Sequence, residues 1–424
     1  MHSAVLVMVF LVLGVVEAFL PYQNPPWVST YSMKLSTMAM AINSSGFTNA
    51  SFSSSFGIVS FDWSNAKAQW VMASPMNDEE AMLNQAILTK QANPLTRVFV
   101  YRNLVKALPW MSSVRSILDD PNYAGFFLKF KPKGPYAVSP CTTDLLNQTK
   151  CSAFYHDQEQ TPEVPTPSNP NPDGACNKTC DCGMQPCGEY LFDHRNGTML
   201  TDWLVNKYIL SSTSVGNGVI DGLFIDDFWC SNQINGTGSC TDPVQGPTEV
   251  DPHNQADMGL SDEDVADITN GWLSNLRTVQ EAILRAGGYT WSLIPGQSNA
   301  NAQPDIISQE NCAAKVRPAC ALSSPYIGSP MFHGVTINNI GQNVQQQVAA
   351  FLLMRGPYAW IGWGQWGMVW DPSVALPKEI WNVEYGDPID PRCSEGPAGV
   401  FHRGYTAANV TLDCNTWSAY IEFG

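Results

Sequence analysis

Charged residues, and basic ones above all, are scarce in this chain of 424 residues. Only 22 Lys and Arg stand against 38 Asp and Glu, which gives a net charge of −16 and a charged fraction of 14%. Typical soluble domains carry about 25% charged residues. There is no basic run, which argues against nucleic acid or an anionic membrane as a partner. Neutral polar groups, or groups added after translation, must therefore hydrate the surface.

Long apolar runs are also few. The one candidate, Ala4 to Val16, is followed by small residues around a plausible cleavage point before Phe19. This pattern predicts a secretory signal peptide at 1–18 and a secreted or lumenal mature protein. An uncleaved anchor is the alternative, because the segment before the run has little positive charge. No later stretch approaches the length of a membrane span, so we expect no membrane insertion after cleavage.

Two features that are present agree with secretion. The chain has 12 Cys, and it has seven glycosylation sequons, at Asn43, Asn49, Asn147, Asn177, Asn196, Asn235 and Asn409. Hydrophobic residues make up 44% of the chain and aromatic residues 11%. That content is enough for a large core and excludes a disordered chain.

Short separations between cysteines predict local disulfides that pin loops or tie the C-terminal strands. The predicted pairs are Cys141 with Cys151, Cys230 with Cys240, Cys312 with Cys320, and Cys393 with Cys414. The remaining four, Cys176, Cys180, Cys182 and Cys187, allow three pairings. Four thiolates in a short loop also fit a zinc site, but an oxidising compartment favours disulfides.

Strand-like and helix-like stretches alternate along most of the chain. The strand candidates are Phe56 to Phe61, Arg97 to Tyr101, Tyr190 to Asp193, Ile220 to Asp227, Tyr289 to Ile294, Asp305 to Ser308 and Tyr358 to Gly362. The helix candidates are Asp78 to Ala92, Ser112 to Leu118, Met199 to Leu210, Ser261 to Ala286 and Gln342 to Met354. Repeated βα units imply a parallel sheet, and about eight of them close into a barrel. The prediction is an α/β protein with a TIM (β/α)8 barrel over 56–370, after a polar N-terminal segment at 19–55.

Two regions depart from this alternation. Residues 133–188 are rich in Pro, Cys, Asn and Asp, which predicts a disulfide-rich insertion on a barrel loop. Residues 371–424 hold short strand signals without helices, at Gly399 to Tyr405, Asn409 to Leu412 and Ser418 to Phe423. They predict a small C-terminal antiparallel β domain.

The strongest chemical signal is the run Asp221-Gly-Leu-Phe-Ile-Asp226-Asp227. In an extended strand, Leu223 and Ile225 share one face, and Asp226 lies on the other. If the aliphatic pair packs on helices, Asp226 points into the barrel mouth, where active sites of such barrels lie. Strand capping by the two acids is the simpler alternative.

Other polar side chains follow strands and are predicted to converge on the same mouth. They are Asp62, Arg102 and Asn103, Asp193 and, after a later strand, Glu310. Hydrolysis of a glycosidic bond needs two carboxyl groups, and Asp226 with Glu310 is the preferred pair. Asp227 and Asp193 complete the catalytic candidates, although a salt bridge to Arg195 or Arg102 is the simpler role for Asp193.

Tryptophans supply the other half of a sugar site, because an indole face stacks on the apolar face of a pyranose. Four Trp lie in the run from Trp360 to Trp370, and Trp229 and Trp291 follow earlier strands. The candidates for substrate binding are Asp62, Arg102, Asn103, Trp229, Trp291, Trp363 and Trp366. At least half of the tryptophans are expected to serve only in packing.

These motifs resemble those of the TIM-barrel proteins called hypothetical glycosyl hydrolases. The resemblance rests on the motifs at 192–196, 221–227, 384–388 and 399–403, and it runs from about Phe56 to the C-terminus without the insertion. It implies a TIM barrel with a trailing β domain. The run at 221–227 also resembles the nucleophile strand of α-amylase-like barrels, in which Asp226 matches the nucleophile. There Phe224 departs from the pattern, since those enzymes carry Arg at that position.

The sequence thus predicts a secreted glycoside hydrolase, with Asp226 as nucleophile or base and Glu310 as acid. The alternative is a non-catalytic carbohydrate-binding or cell-coat glycoprotein on the same scaffold. A third hypothesis places a divalent metal on Asp226, Asp227 and Asp193. No cofactor is predicted, and neither the sugar, the linkage, the stereochemistry nor the oligomeric state follows from the sequence.

Overall fold

A computed structural model describes residues 24–28, 30–131, 141–143, 149–157, 181–227, 229, 241–242, 246–247, 252–291, 307–321, 343–362 and 383–424. In these ranges α-helices span Ala50–Ser53, Lys67–Trp70, Asp78–Ala92, Ser112–Leu118, Gly197–Trp203, Pro252–Met258, Asp262–Arg285, Cys312–Cys320 and Val344–Met354. Short 3₁₀ turns lie at Lys34–Ser36, Pro121–Phe126, His194–Asn196 and Val215–Asn217, and a π-helical turn lies at Leu204–Ile209.

A parallel sheet forms the centre of the molecule. Its strands, in spatial and chain order, are β1 (Met38–Ala41), β2 (Ile58–Phe61), β3 (Arg97–Asn103), β4 (Gly222–Asp226) and β5 (Tyr289–Trp291). A later segment pairs in parallel with the start of β1 through Thr37 and Ile361. The sheet therefore has the parallel strand direction that the βα pattern predicts. The other predicted barrel strand, Asp305 to Ser308, lies mostly outside the described residues.

The sheet begins one strand earlier than the sequence pattern indicates. β1 lies in the segment 19–55, which the sequence pattern assigns to a polar extension, and its sequence is Met-Ala-Met-Ala. Neither Met nor Ala favours a strand on its own. All four residues are buried, so packing against β2 decides the conformation of this segment.

The two faces of the sheet have different neighbours. Paired residues of parallel strands share a face, so Ile225 lies on the same face as Arg102. The Arg102 guanidinium contacts Glu79 in the helix Asp78–Ala92, at 3.3 Å, which shows that this face meets the helix layer. Asp226 therefore lies on the opposite, inward face, as the sequence predicts under the condition that the aliphatic residues pack on helices.

Aromatic side chains fill the inward face. Phe224 packs edge-on against Trp291 at 4.9 Å and lies 6.2 Å from Tyr101. At the N-terminal ends of the strands, Trp27 makes edge contacts with three inward rings, at 5.7 to 6.5 Å; these belong to Phe99, Tyr289 and Trp360. The interior is a packed core there, as in barrels generally.

The long helix Asp262–Arg285 forms as its sequence predicts. Ser261 accepts a hydrogen bond from the backbone of Asp264, whose carboxylate reaches back to the Ser261 backbone, completing a capping box. The acidic residues of the first turn also face the positive end of the helix dipole.

One predicted barrel strand belongs to another sheet. Glu189–Leu191 pairs antiparallel with Lys106–Ala107 and with His156–Asp157 in a small three-stranded sheet. The prediction of Tyr190 to Asp193 as a barrel strand is therefore wrong. The local pattern is that of a buried strand, but it does not specify the partner strand.

The C-terminal region is an antiparallel sheet of four strands, Ser394–Glu395, Val400–Gly404, Ala408–Asp413 and Ser418–Phe423. Burial alternates along Ala408–Asp413, and the buried face packs on the helix Val344–Met354. That helix is buried from Gln347 to Met354, because it lies between this sheet and the central one. The predicted C-terminal β region is present.

Two predicted disulfides are wrong. Cys312 bonds to Cys414 and Cys320 bonds to Cys393, with Cα separations of 5.4 and 4.8 Å. Cys312 and Cys320 lie at the two ends of one helix, about 12 Å apart, which is beyond the roughly 4.4–6.8 Å that a disulfide spans. Both bonds instead join this helix to the C-terminal sheet.

The other cysteines are described in part. Cys182 bonds to Cys187, which resolves part of the predicted quartet and removes two of the four thiolates that a zinc site would need. Cys151 is disulfide-bonded, and the strands Cys141–Thr143 and Thr149–Cys151 place Cys141 opposite it. Cys176, Cys180, Cys230 and Cys240 lie outside the described residues, as do the predicted signal peptide and most of the insertion.

The described helices include none that is long and apolar enough to cross a bilayer. Disulfides of this kind persist in oxidising compartments.

Candidate functional site

The C-terminal end of β4 carries the two acids that the sequence singles out. Asp226 pairs in register with Asn103 at the end of β3, and its side chain is partly exposed. At the other end of β4, a Cβ on Gly222 would lie 2.3 Å from the Tyr289 carbonyl oxygen and 2.4 Å from the Phe99 ring. The strand is therefore packed tightly at its start and opens only at its end.

The Asp226 carboxyl is held in its protonated form. Burial is the main cause that raises its pKa, to about 8, and the neighbouring charges of Asp227 and Asp62 raise it further. The Asp227 backbone amide and the Lys106 ammonium oppose this shift. At neutral pH this carboxyl is thus a proton donor, a property typical of catalytic acids.

Asp227 has the opposite environment. Its backbone is in the left-handed region, at φ 59°, which costs about 1 kcal/mol or more. Its carboxylate accepts a hydrogen bond of 2.5 Å from Asn103 Nδ2 and lies 3.6 Å from Lys106 Nζ. The negative charge of Asp227 is therefore well supported.

Asn103 joins the two strand ends. Its amide nitrogen also contacts the Tyr101 hydroxyl at 2.9 Å. Its side-chain oxygen accepts bonds from the backbone amides of Val105 and Lys106, at 2.8 and 2.7 Å. This turn places Lys106 beside Asp227, and the Lys106 ammonium also binds Glu189 at 2.8 Å.

Asp62 follows β2 and faces the same region. Its Oδ1 accepts hydrogen bonds from Ser64, from the backbone at 2.9 Å and from the hydroxyl at 2.6 Å. Burial raises the pKa of Asp62 above its ordinary value, and the Ser64 hydrogen bonds, the Trp63 amide and the Lys67 charge offset only part of this shift. The charge of Asp62 acts on Asp226, so the structure brings these two predicted residues into one region.

Trp63 is a site candidate that the sequence reasoning missed. It follows Asp62 directly, is partly exposed, and is backed by Trp110 at 5.5 Å and Trp70 at 6.4 Å. The Lys67 ammonium lies 5.1 Å from the centre of its ring. The signal was present in the sequence, since an acid and an aromatic residue follow a buried strand.

Arg102 lies away from this site, contrary to its predicted role. It is fully buried on the helix-facing side, where it binds Glu79 and the Thr213 carbonyl oxygen and stacks on Tyr208. Alternation along β3 separates Arg102 from Asn103, and all of these contacts serve packing.

Asp193 and Glu310 also lie elsewhere. Asp193 forms the expected ion pair with Arg195, at 2.8 Å, and caps the short 3₁₀ turn that follows. Glu310 is exposed in the turn before the helix Cys312–Cys320, and the neighbouring Gln309 binds the Asn415 carbonyl oxygen of the C-terminal sheet. No hydrogen bond or ion pair joins Glu310 to Asp226 in the described structure.

The predicted tryptophans divide in a similar way. Trp291 is fully buried against Phe224, and Trp229 is 2% exposed, so both are core residues in this structure. Trp363 and Trp366 lie outside the described residues.

Two other possibilities receive no support from the described residues. They contain no group of three acids, histidines or cysteines placed to hold a metal ion, which leaves the metal hypothesis without a site.

A cavity of about 390 Å³ opens at the N-terminal ends of the strands, beside Trp27, Arg97 and Tyr358, but no carboxylate lines it. Among the described residues, Asp62, Asp226 and Asp227 lie instead at the C-terminal ends of β2 and β4.

Comparison with known proteins gives weak structural similarity only. No family model matches the chain, and no curated protein matches its sequence. Sucrose 6F-phosphate phosphorylase from Thermoanaerobacter thermosaccharolyticum is similar with a TM-score of 0.41 and 9% identity, over 92% of this chain and 95% of that one. The debranching enzyme of Nostoc punctiforme has a TM-score of 0.39 and 10% identity, over 93% and 91%. The α-amylase of Geobacillus thermoleovorans has a TM-score of 0.39 and 8% identity, over 90% and 86%. Similarities of this size carry no weight for the function of this chain.

Proposed function

We propose that the protein is a secreted glycoside hydrolase that cleaves an oligo- or polysaccharide at the C-terminal ends of β2 to β4, with Asp226 as one of its two carboxyl groups. The observation that carries this proposal is the inward Asp226 carboxyl, whose pKa is raised to about 8. Cleavage of a glycosidic bond requires protonation of the leaving oxygen. A carboxyl group that keeps its proton at neutral pH can supply that proton.

The surroundings of Asp226 support a sugar rather than a small apolar substrate. Asp62, Asp226 and Lys106 place polar groups within one region, which Asn103 holds together from below. Trp63 adds a partly exposed indole ring beside Asp62. Polar groups that converge next to an aromatic surface are the usual composition of a carbohydrate site.

The test is release of reducing sugar from a panel of α- and β-linked oligosaccharides and polysaccharides by the full-length protein. The Asp226→Asn variant keeps the side-chain shape and removes the acid, and we expect its kcat to fall by at least about 100-fold. Asp267→Asn, at an exposed position on the helix Asp262–Arg285, serves as the matched control and should retain full activity. Thermal melting of each variant verifies folding. Full activity of Asp226→Asn would sink the hydrolase proposal.

A non-catalytic carbohydrate-binding protein is the second candidate, and the Trp63 ring favours it. In that case a glycan array would show retention without turnover. Binding would persist in Asp226→Asn and would be lost in Trp63→Ala. Turnover of any glycan by the wild-type protein excludes this candidate.

A further inference from the structure

We propose that Asp62, and not Glu310, is the second catalytic carboxylate, and that Asp62 and Asp226 act as base and acid in a hydrolysis that inverts the anomeric centre. This inference rests on the proposed hydrolase function and assigns its second catalytic residue and its stereochemistry. It also gives Asp226 the role of acid, in place of the nucleophile or base that the sequence predicts.

The strand register brings the two carboxyl groups to the same level. Phe61 pairs with Val100, so Asp62 continues the register opposite Tyr101, whereas Asp226 pairs with Asn103. Asp226 is thus advanced by two residues over two strands. A stagger of about one residue per strand is that of an eight-stranded barrel with a shear of about 8, in which alternate strands contribute side chains to one layer. Asp62 on β2 and Asp226 on β4 fall in one such layer.

The distance between these strands fits inversion. Two strand spacings of about 4.8 Å, together with an advance of two residues of about 3.3 Å each, place the two backbones about 12 Å apart, and inward side chains of a curved sheet converge from there. Carboxyl groups of inverting enzymes lie roughly 6.5–9.5 Å apart to leave room for a water molecule, while retaining enzymes need about 5–5.5 Å. Of the two strands beside β4, β3 ends in the amide Asn103 and supplies no carboxyl group next to Asp226.

The hydrogen-bond partners divide the two roles. Ser64 donates twice to Asp62 Oδ1, and donors to a carboxylate favour its charged form. The Lys67 ammonium supports the same charge. Asp226 receives a bond from the Asp227 backbone but lies beside the Asp227 charge, which Asn103 and Lys106 hold in place.

Several charged or titratable groups face Asp62 and Asp226, and each raises or lowers the pKa of the carboxyl that it faces. Asp62 meets Lys67 on the adjoining short helix, Asp226 on β4 and Tyr101 on β3, and its charge also reaches Asp78 on the next helix. Asp226 meets Asp227, Asp62 and Lys106. Each carboxyl has one cation near it, Lys67 for Asp62 and Lys106 for Asp226, and the two environments differ in the charge of Asp227, which lies directly beside Asp226. Such a difference is how a pair of carboxyls acquires separate acid and base roles.

The reaction balances with water as the only co-reactant. The Asp226 carboxyl gives its proton to the glycosidic oxygen as the bond from that oxygen to the anomeric carbon breaks. A water oxygen bonds to the anomeric carbon from the opposite face, and the Asp62 carboxylate takes the proton that this water loses. Proton exchange with solvent then returns Asp226 to the acid form and Asp62 to the carboxylate.

The experiment compares three conservative variants of the full-length protein, Asp62→Asn, Glu310→Gln and Asp226→Asn, on a glycan that the wild type hydrolyses. We expect kcat to fall by at least about 100-fold in Asp62→Asn, with Glu310→Gln within twofold of wild type. Proton NMR of the fresh product should show the inverted anomer. Where Asp62→Asn retains residual activity, its pH profile should have lost the acidic limb, because that limb reports the base.

The outcomes separate this inference from the function on which it rests. Retention of the anomeric configuration, or an active Asp62→Asn together with an inactive Glu310→Gln, overturns the assignment of Asp62 while the hydrolase function stands. Full activity in Asp226→Asn overturns both. A Ser64→Ala variant keeps both carboxyl residues, and we expect its acidic limb to move to higher pH, since Asp62 loses the hydroxyl hydrogen bond that lowers its pKa. An unmoved limb in that variant contradicts the role of Asp62 as base.

Discussion

The two ends of β4 present the same side chain in opposite surroundings. At the N-terminal end, the Asp221 carboxylate binds Lys90 Nζ at 2.6 Å, Arg97 at 2.8 Å and the Val98 backbone amide at 2.8 Å. At the C-terminal end, Asp226 has no cation in direct contact and faces two other acids. A carboxylate that is paired with cations stabilises a fold, whereas a buried one beside other acids is costly to ionise and remains available for chemistry. This contrast locates the candidate site more clearly than the acidic composition of the chain does.

A substitution at Gly222, the residue that follows Asp221, should give the largest loss of stability. In Gly222→Ala, the new methyl group would lie 2.3 Å from the Tyr289 carbonyl oxygen, and a strand backbone cannot move aside cheaply. We expect a loss of about 3 kcal/mol or more in the free energy of unfolding, measured by chemical denaturation. Gly46→Ala is the control, because its new methyl group meets only the flexible end of Gln69. Equal stability of both variants would contradict the tight packing at the start of β4.

Asp221→Asn tests the N-terminal end of β4, where the acid is paired with Lys90 and Arg97. It removes the charge that holds Lys90 and Arg97, both of which are partly exposed. We expect a loss of about 1–2 kcal/mol in the free energy of unfolding at neutral pH, with little direct effect on kcat. A variant as stable as the wild type would show that the ion pairs contribute nothing.

Asp226→Asn tests the C-terminal end of β4, where the acid faces other acids. It should raise the stability of the protein, whereas Asp221→Asn should lower it. The folded-state pKa of Asp226, about 8, lies above its unfolded value near 4. The folded state therefore binds this proton more tightly, and its contribution to stability is complete below about pH 4 and is lost as the pH rises towards 8. The variant should unfold at a higher temperature than the wild type near pH 8 and show less difference near pH 5. A lower melting temperature at pH 8 would contradict this account of the site.

Lys106→Met should give the smallest effect, a shift in the pH dependence of activity. It tests how far a nearby cation acts on Asp226 at the C-terminal end of β4. The Lys106 charge lowers the pKa of Asp226, so its removal should move the alkaline limb of the activity profile to higher pH, by less than about one unit. Lys129→Met, an exposed lysine beside Phe154, is the control and should leave the limb unchanged. A shift to lower pH would mean that Lys106 does not act on Asp226.

Much of the local structure follows from the sequence. The helices Asp78–Ala92 and Ser112–Leu118 and the strand Ser418–Phe423 have the predicted bounds, because periodicity and end signals are local properties. The inward direction of Asp226 is likewise a matter of alternation within one strand. The sequence also identified Asp62, Asn103 and Asp227 as polar residues at strand ends.

The predictions that failed depended on partners distant in the sequence. Cys312 was paired with Cys320 because they are close in the chain, yet a helix holds them apart and brings each to the C-terminal sheet. Tyr190 was placed in the barrel, although its strand pairs with Lys106–Ala107. Trp291 was expected at a binding surface, and its indole fills the interior against Phe224.

The sequence by itself determined which segments are strands and helices and which side chains can supply a proton, since both depend on residue type and short-range spacing. Only the tertiary structure decided which carboxyls meet. The register of β2, β3 and β4 brings Asp62 and Asp226 into one region, while Glu310 is exposed in a turn whose Gln309 contacts the C-terminal sheet. Burial and neighbouring charge set the protonation of Asp226, and neither is a property of a residue before the chain has folded around it.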